Sequence, residues 1–161
     1  MAIKVGDRMP AGTLTLMGRD GPEPIATDEL FRGRKVVLFS VPGAFTPTCS
    51  TKHLPGYIEN AGAIKGRGVD TIACMAVNDI HVMAAWGRAA KTGDDVLMLA
   101  DGNAAYAITL GLEFDGSGAG MGTRGQRFSM VIDDGAVTQL NIEPPREFGV
   151  SSAEALLEQL G

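Results

Sequence analysis

The sequence predicts an α/β fold in which a central mixed sheet is flanked by helices, built as one domain over residues 1–161. Apolar runs of strand length alternate with helix-like segments through the first two thirds of the chain, an order that favours parallel strands with right-handed crossovers. Two strand-like runs then meet at a tight-turn sequence, which predicts an antiparallel hairpin. The composition, 45% hydrophobic and 20% charged, is typical of a globular domain of this length.

The first part of the chain, residues 1–34, offers no candidate functional residue. Residues 13–16 alternate as a short strand, residues 18–24 are rich in turn formers, and residues 27–31 suggest a short capped helix. We expect this region to lead into the central sheet.

The first central strand is predicted at residues 35–39, an apolar and partly β-branched run. A helix is expected over residues 50–64, and residues 66–68 should end it because two of the three are glycine. Within that helix, Pro55 and Gly56 should force a break or kink after the first two turns.

Further strands and helices follow in alternation. Residues 69–77 predict a second buried strand, and residues 96–100 a third. Between them, Asn78 and Asp79 should cap a helix that runs to about residue 91. A short helix through Leu110 follows the third strand.

The pattern changes after this point. Residues 127–133 and 136–142 predict two strands joined by a tight turn at residues 133–135, Asp-Asp-Gly. Residues 151–154, Ser-Ser-Ala-Glu, offer a capping box for a last helix over residues 153–160. Alternating strands and helices, then a hairpin and a terminal helix, are the element order of the thioredoxin fold.

The strongest indication of a reactive site is the stretch from Val41 to Cys49, which joins the first central strand to the following helix. At such a junction the free backbone N–H groups and the positive end of the helix dipole favour a thiolate over a thiol. Thr46 is close enough in sequence to turn its hydroxyl towards the sulfur or a small polar substrate. Pro42 and Pro47 stiffen the loop, because each fixes φ and removes a donor.

The pattern Pro42-x-x-x-Thr46-x-x-Cys49, followed by His-Leu-Pro-Gly-Tyr at residues 53–57, closely resembles the peroxidatic-cysteine signature of the peroxiredoxins. Within that family it is similar to the group containing mammalian peroxiredoxin five and the plant type II enzymes. Further matching pieces occur in family order: Ile3-Lys4-Val5-Gly6-Asp7, Val77-Asn78-Asp79, Trp86-Gly87-Arg88-Ala89 and Arg127-Phe128-Ser129-Met130-Val131.

The resemblance implies a thiol-dependent peroxidase that needs no metal, flavin or haem. Cys49 would attack the peroxide O–O bond and become a sulfenic acid, which a thiol then reduces. Pro42 would shield the site, Thr46 would donate to and position the peroxide, and Arg127 would stabilise the thiolate and the developing charge. The substrates implied are hydrogen peroxide and organic hydroperoxides, and the reductant glutaredoxin with glutathione, or thioredoxin. The resemblance also implies a homodimer.

Two arginines compete for the position beside the sulfur. A buried or half-buried arginine could both favour the thiolate and donate to the peroxide oxygens. The resemblance selects Arg127, whereas Arg124 lies three residues earlier in the preceding loop. We therefore expect Arg127→Ala to slow oxidation of Cys49 and Arg124→Ala to have little effect.

Cys74 is the second of the two cysteines, and two interpretations of it remain open. Plant type II relatives use a cysteine at a similar position to resolve the sulfenic acid, which makes Cys74 a candidate resolving cysteine. The surrounding strand is apolar, however, and a free cysteine there behaves as a small hydrophobic residue. The mammalian relative has its resolving cysteine near the C-terminus, where this chain has none. We expect Cys74→Ser to be better tolerated than Cys49→Ser with at least one reductant.

The other motifs are weaker. His53 and His81 follow the two cysteines by four and seven positions, but the chain has no closely spaced cysteine pair, so we expect no zinc site. We expect His53 to be a packing or hydrogen-bonding residue. Residues 120–125 match GxGxxG but run into a strand instead of opening a helix, so a flexible surface loop is predicted there.

Composition excludes several classes of function. The net charge of −5 offers no basic surface for nucleic acid or an anionic membrane. No apolar run has the length of a transmembrane helix, and the N-terminal residues lack the apolar core of a secretory signal, so a cytoplasmic protein is predicted.

Two further functions compete with the peroxidase. One is a thioredoxin-like redox sensor or binding protein, in which oxidation of Cys49 changes assembly without significant turnover. Steady-state consumption of peroxide distinguishes it from an enzyme. The other is a cysteine hydrolase with a histidine base, which the sequence disfavours because it shows no pattern of oxyanion donors.

Overall fold

The computed structural model describes residues 2–161, which form a seven-stranded mixed sheet with helices on both faces and a separate two-stranded sheet. The strands are β1 (Thr13–Gly18), β2 (Gly21–Ala26), β3 (Lys35–Val41), β4 (Thr71–Ala76), β5 (Leu97–Ala100), β6 (Glu113–Asp115), β7 (Thr123–Gly125), β8 (Phe128–Asp133) and β9 (Ala136–Ile142). The helices are α1 (Thr27–Phe31), α2 (Leu54–Glu59), α3 (Ala61–Lys65), α4 (Ile80–Ala90), α5 (Ala105–Leu110) and α6 (Ala153–Leu160). A π-helical turn, Cys49–His53, leads into α2, and a 3-10 turn covers Ser117–Ala119.

The strand order of the large sheet is β2-β1-β5-β4-β3-β8-β9. β3 pairs in parallel with β4, which pairs in parallel with β5, whereas β8 runs antiparallel to β3. The crossover helices α2, α3 and α4 account for the parallel pairs, and the hairpin of β8 and β9 completes one edge. The predicted thioredoxin-like fold with a central mixed sheet is confirmed.

Two core layers lie on opposite faces of this sheet, because successive side chains of β3 alternate between them. Val37, Phe39 and Val41 face the layer covered by α2, α3, α4 and α6. Val36 and Leu38 face the layer covered by α1 and α5. Both cysteines belong to the first layer, so the chemistry predicted for Cys49 lies on that face.

The helix after the cysteine loop differs from its prediction. The chain does not leave the helix at Pro55 and Gly56; it makes the π-helical turn before Pro55 and breaks at Asn60 instead. A proline ring inside a helix crowds the carbonyl one turn earlier, and the wider π turn relieves that crowding. Asn60 has φ −98° and ψ 4°, and its side-chain amide donates to Gly56 O at 2.8 Å.

Two segments predicted as turn or loop are strands. β2 contains Pro22 and Pro24 and lies at the edge of the sheet, where a proline without an N–H group is tolerated. β7 lies within the segment 120–125, where a flexible loop was predicted, and pairs with β6. Three-residue strands are too short to produce an alternating pattern, which is why the sequence did not reveal them.

Turn and cap chemistry largely follows the sequence. Asp79 caps α4 as predicted, since its Oδ1 accepts from the backbone N–H of Val82 at 2.9 Å. The turn between β8 and β9 has positive φ at Asp134 and Gly135, as a tight hairpin requires. The cap of α6 is Ser152, whose Oγ accepts from Ala155 N at 3.1 Å.

Candidate active site

Cys49 is fully buried (0% exposed) in the first turn of a helical segment that begins at Pro47. The segment follows directly from the loop at the end of β3, so the predicted junction between strand and helix exists. Proline suits the first helical position, where its missing N–H group would have had no partner. The unpaired N–H groups of a first helical turn carry partial positive charge, and Cys49 lies within this turn.

Arg127 supplies a full positive charge to the same sulfur. Its Nη2 donates to Cys49 Sγ at 3.0 Å. The topology accounts for this contact, because Ser40 near the end of β3 pairs with Phe128 at the start of β8. Arg127 therefore emerges beside the loop that carries the cysteine. A guanidinium in this position stabilises a thiolate and can also donate to a bound oxygen.

Arg124, the competing arginine, points elsewhere. Its Nη1 donates to Val77 O at 3.1 Å and to Pro42 O at 3.4 Å, and its Nε donates to Met121 O at 2.8 Å. It therefore joins three segments of backbone near the cysteine loop but makes no hydrogen bond with the sulfur. The contact with Cys49 belongs to Arg127, the arginine that the resemblance selects.

The loop between β3 and the helix is held by several polar contacts. Thr46 Oγ1 donates to Gly43 O at 2.7 Å, and Ala44 N donates to Asn78 Oδ1 at 2.9 Å. Phe45 between them has a φ of +62°, a left-handed conformation that is costly for a bulky residue and needs such support. Because the proton of Thr46 is directed at Gly43, its oxygen is left to accept a hydrogen bond. Donation to a peroxide, which the resemblance implies, stays a prediction.

His53 is fully buried (0% exposed) and contacts the terminal nitrogen of Arg127 that does not contact the sulfur. Its Nδ1 accepts from Arg127 Nη1 at 2.8 Å, so the ring proton is on Nε2, which faces Ser151 O at 3.0 Å. Burial, and secondly the positive charge of Arg127, lower the pKa of His53 to about 3. The ring is therefore neutral at physiological pH, and the prediction of a hydrogen-bonding residue is confirmed.

Glu143 was not predicted by sequence reasoning. It is a buried carboxylate whose Oε2 accepts from Gly149 N at 2.7 Å, from Ser151 N at 2.8 Å and from Ser151 Oγ at 2.7 Å. Burial alone would raise the pKa of Glu143, but these hydrogen bonds together hold it below its ordinary value. The carboxylate thus fixes the segment that presents Ser151 O to His53. No spacing motif marks such a residue, because its partners are mostly backbone groups.

A groove of about 570 Å³ lies beside Arg127 and is larger than hydrogen peroxide requires. Its walls include the prolines 42, 144 and 145 and the aromatic rings of residues 114 and 148, together with Thr48. The ring of Phe148 lies 5.8 Å from Arg127 Cζ and 5.0 Å from the ring of His53. Pro42 of the sequence signature thus lies in the wall of a half-apolar groove next to the sulfur's arginine.

Cys74 is buried in β4, where it pairs with Phe39 of β3. Burial, and secondly the negative charge of Cys49, raise the pKa of the Cys74 thiol well above its ordinary value. Both cysteines are free thiols. Within residues 2–161 no cluster of three or more His, Cys, Asp or Glu side chains has the arrangement of a metal site. None of the helices in that range is long and apolar enough to cross a membrane.

A thioredoxin-like sheet with a buried cysteine after its central strand and an arginine against the sulfur defines a class of thiol-dependent redox enzymes. Residues 4–157 match the sequence model of the redoxin family. Peroxiredoxin-2B of Arabidopsis thaliana is 46% identical over 98% of both chains. Peroxiredoxin-2E-2, chloroplastic, of Oryza sativa subsp. japonica is 50% identical over 98% of this chain and 72% of its own. The chain belongs to the peroxiredoxins of the redoxin family, and it is a thiol peroxidase.

Solved structures agree with this assignment. Reduced Prx3 from Vibrio vulnificus, in complex with hydrogen peroxide, superposes with a TM-score of 0.96 at 50% identity and covers 99% of each chain. Peroxiredoxin 5 from Alvinella pompejana superposes with a TM-score of 0.85 at 37% identity, over 98% of this chain and 97% of its own. The likeness extends over the whole sheet and its helices.

Proposed function

We propose that Cys49 is the peroxidatic nucleophile of this thiol peroxidase. The observation that carries the proposal is the 3.0 Å contact from Arg127 Nη2 to Cys49 Sγ in the first turn of a helix. The thiolate attacks one peroxide oxygen and the O–O bond breaks, which gives a sulfenic acid on Cys49. The other oxygen takes up a proton and leaves as water or as an alcohol.

The surrounding residues have separate tasks in this reaction. Arg127 stabilises the thiolate and the negative charge that develops on the leaving oxygen. Thr46 Oγ1, whose proton is used by Gly43, accepts a hydrogen bond from the peroxide and so orients it. Pro42 limits the access of water to the sulfur from the groove side.

The substrates proposed are hydrogen peroxide and organic hydroperoxides. The groove beside Arg127 has room for an organic group behind the reacting oxygens. Its prolines and aromatic rings can contact an apolar part of that group, and charged side chains such as Arg146 and Glu147 can contact a polar part. The Vibrio vulnificus structure described with hydrogen peroxide supports the smaller substrate as well.

The reductant proposed is an outside thiol, from glutaredoxin with glutathione or from thioredoxin, and not Cys74. Cys74 is fixed in a central strand and its raised pKa keeps it as a poorly nucleophilic thiol. A bridge would need its Cα within about 7 Å of the Cα of Cys49, with both sulfur atoms turned towards each other. The homodimer and the cytoplasmic location that the sequence predicts stay proposals of the same kind.

Intact-mass measurement after one equivalent of peroxide tests the nucleophile and the resolving step together. Wild-type protein and Cys74→Ser should both gain one oxygen, and Cys49→Ser should gain none while keeping its fold. In steady state, Cys74→Ser should retain turnover with glutaredoxin and glutathione. Oxidation and turnover in Cys49→Ser would end the assignment of Cys49. Loss of two hydrogens from the wild-type monomer, with a Cys74→Ser variant that does not turn over, would make Cys74 an obligate resolving cysteine.

A further inference from the structure

His53 is the residue that connects the arginine beside the sulfur to the rest of the core. We propose that His53 is a positioning residue for peroxide reduction: through Nδ1 it holds one arm of the Arg127 guanidinium, so that the other arm stays on Cys49 Sγ. The inference rests on the proposed role of Cys49 and adds a residue to that site.

The two contacts of Arg127 define the orientation of its guanidinium plane. Nη1 is held by His53 at 2.8 Å and Nη2 reaches Cys49 at 3.0 Å. An arginine side chain has several rotatable bonds, and a single contact to sulfur would leave the planar group free to turn about it. Two contacts on different nitrogens remove that freedom before the peroxide arrives, which is the preorganisation that electrostatic catalysis requires.

The chemical nature of the partner matters as much as its position. Among residues 2–161, no carboxylate lies within ion-pairing distance of Arg127. A carboxylate in the place of His53 would orient the guanidinium but would also offset its charge. The neutral imidazole orients Arg127 while leaving the full positive charge to the thiolate and the leaving oxygen.

The ring of His53 is itself fixed on three sides. Nε2 donates to Ser151 O, whose segment is held by the Glu143 carboxylate. The ring lies 4.9 Å from that of Phe39 and 5.0 Å from that of Phe148. A histidine whose second nitrogen is occupied in this way has a fixed tautomer and a fixed ring orientation.

The π-helical turn Cys49–His53 accounts for the meeting of both residues with one arginine. Cys49 and His53 are the first and last residues of this turn, and each contacts a different nitrogen of the Arg127 guanidinium. Such turns occur frequently at functional sites. The turn therefore carries both side chains that contact the two terminal nitrogens of Arg127.

Matched substitutions separate this role from simple packing. In His53→Asn the side-chain oxygen can take the place of Nδ1 and accept from Arg127, whereas His53→Gln reaches further and can serve only Ser151. His53→Leu removes both bonds. Tyr57→Phe is the control, because the Tyr57 hydroxyl also donates to Ser151 O, at 2.8 Å, but makes no bond with Arg127. The readouts are the second-order rate of Cys49 oxidation by hydrogen peroxide, the ultraviolet absorbance of the thiolate at neutral pH, and the thermal midpoint.

We expect His53→Leu to oxidise roughly tenfold more slowly, as when one hydrogen bond to a charged group is lost. His53→Asn should recover most of the rate and of the thiolate absorbance, His53→Gln should recover less, and Tyr57→Phe should stay near wild type. An unchanged rate in His53→Leu, or a faster His53→Gln than His53→Asn, would overturn the positioning role. If His53→Leu does not fold, the order of the Asn and Gln variants decides. Failure of the wild-type Cys49 to react with peroxide would instead refute the proposed function.

Discussion

At the scale of single residues, the site depends on two arginines that lie three positions apart and do different work. Arg127 contacts the sulfur, whereas Arg124 contacts only backbone carbonyls. Both are half-buried. The different contacts of the two arginines follow from the pairing of β3 with β8. Arg127 directly precedes β8, and this pairing places it beside the end of β3.

Alanine substitutions of the two arginines should therefore differ in degree and in kind. Arg127→Ala removes a charged donor at the reacting atoms and should slow Cys49 oxidation by about 100-fold or more. Arg124→Ala, for which the sequence predicted little effect, should now lower stability and slow oxidation less than about tenfold, because Pro42 O and Val77 O lose a shared donor. Stopped-flow oxidation by hydrogen peroxide, together with urea unfolding of the reduced variants, measures both effects. A loss of rate at Arg124 as large as that at Arg127 would contradict the assignment.

Some residues of this site could be predicted from the sequence and others could not, because only some of them are neighbours along the chain. Pro42, Thr46 and Cys49 lie in one continuous loop, so their spacing carries the signal. Arg127 was separated from Arg124 by resemblance alone, since the two lie only three positions apart, one within β7 and the other directly before β8. Glu143 binds backbone N–H groups, and no residue type at a fixed spacing reveals such a partner.

At the scale of elements, the segment between β9 and α6 determines how the site is closed. It supplies Phe148 to the groove and Ser151 O to His53, and Glu143 at its start accepts three hydrogen bonds from its end. The segment has no regular secondary structure. The Glu143 carboxylate therefore orders this segment together with the bonds that His53 and Tyr57 donate to Ser151 O.

Replacing that carboxylate should loosen the segment. In Glu143→Gln a neutral oxygen accepts where a charged one did, and we expect faster amide hydrogen exchange at Gly149 and Ser151. A loss of roughly 1 kcal/mol or more in the free energy of opening is expected, since hydrogen bonds to charged groups are the stronger ones. Glu147→Gln, at an exposed position of the same segment, is the control. Equal acceleration in both variants would mean that the Glu143 bonds do not order the segment.

A local sequence pattern predicts an element only when that element depends on residues close together in the chain. The cap of α4 and the turn between β8 and β9 were predicted correctly, because each depends on residues close in sequence. The break at Asn60 was not predicted, since it depends on how a π turn accommodates Pro55. The edge strand β2 was not predicted either, since it depends on which edge of the sheet is unpaired.

At the scale of the whole molecule, residues of the site also belong to the hydrophobic core. Cys49 belongs to the same core layer as Tyr57 and Trp86, and His53 packs against that layer through Phe39. The groups that favour the reaction are therefore also groups whose ionisation affects folding. His53 gives the clearest case, because it is buried, neutral and unable to keep its bond with Arg127 once protonated.

The stability of the reduced protein should consequently fall as the pH is lowered from neutrality. The pKa of His53 is about 3 in the folded protein against 6.5 for an unperturbed histidine, so between those values the unfolded chain binds the additional proton. The free energy of unfolding then rises with pH, by at most about 1.4 kcal/mol per pH unit for this one group. Glu143, whose pKa is also lowered, adds a loss of the same sign at more acid pH, as its carboxylate becomes protonated.

Urea unfolding between about pH 5 and 6.5 isolates the histidine contribution. His53→Asn should flatten the slope there, whereas His81→Asn, at an exposed position, should keep it. Parallel curves for wild type and His53→Asn would show that His53 is not held neutral by its burial and by Arg127.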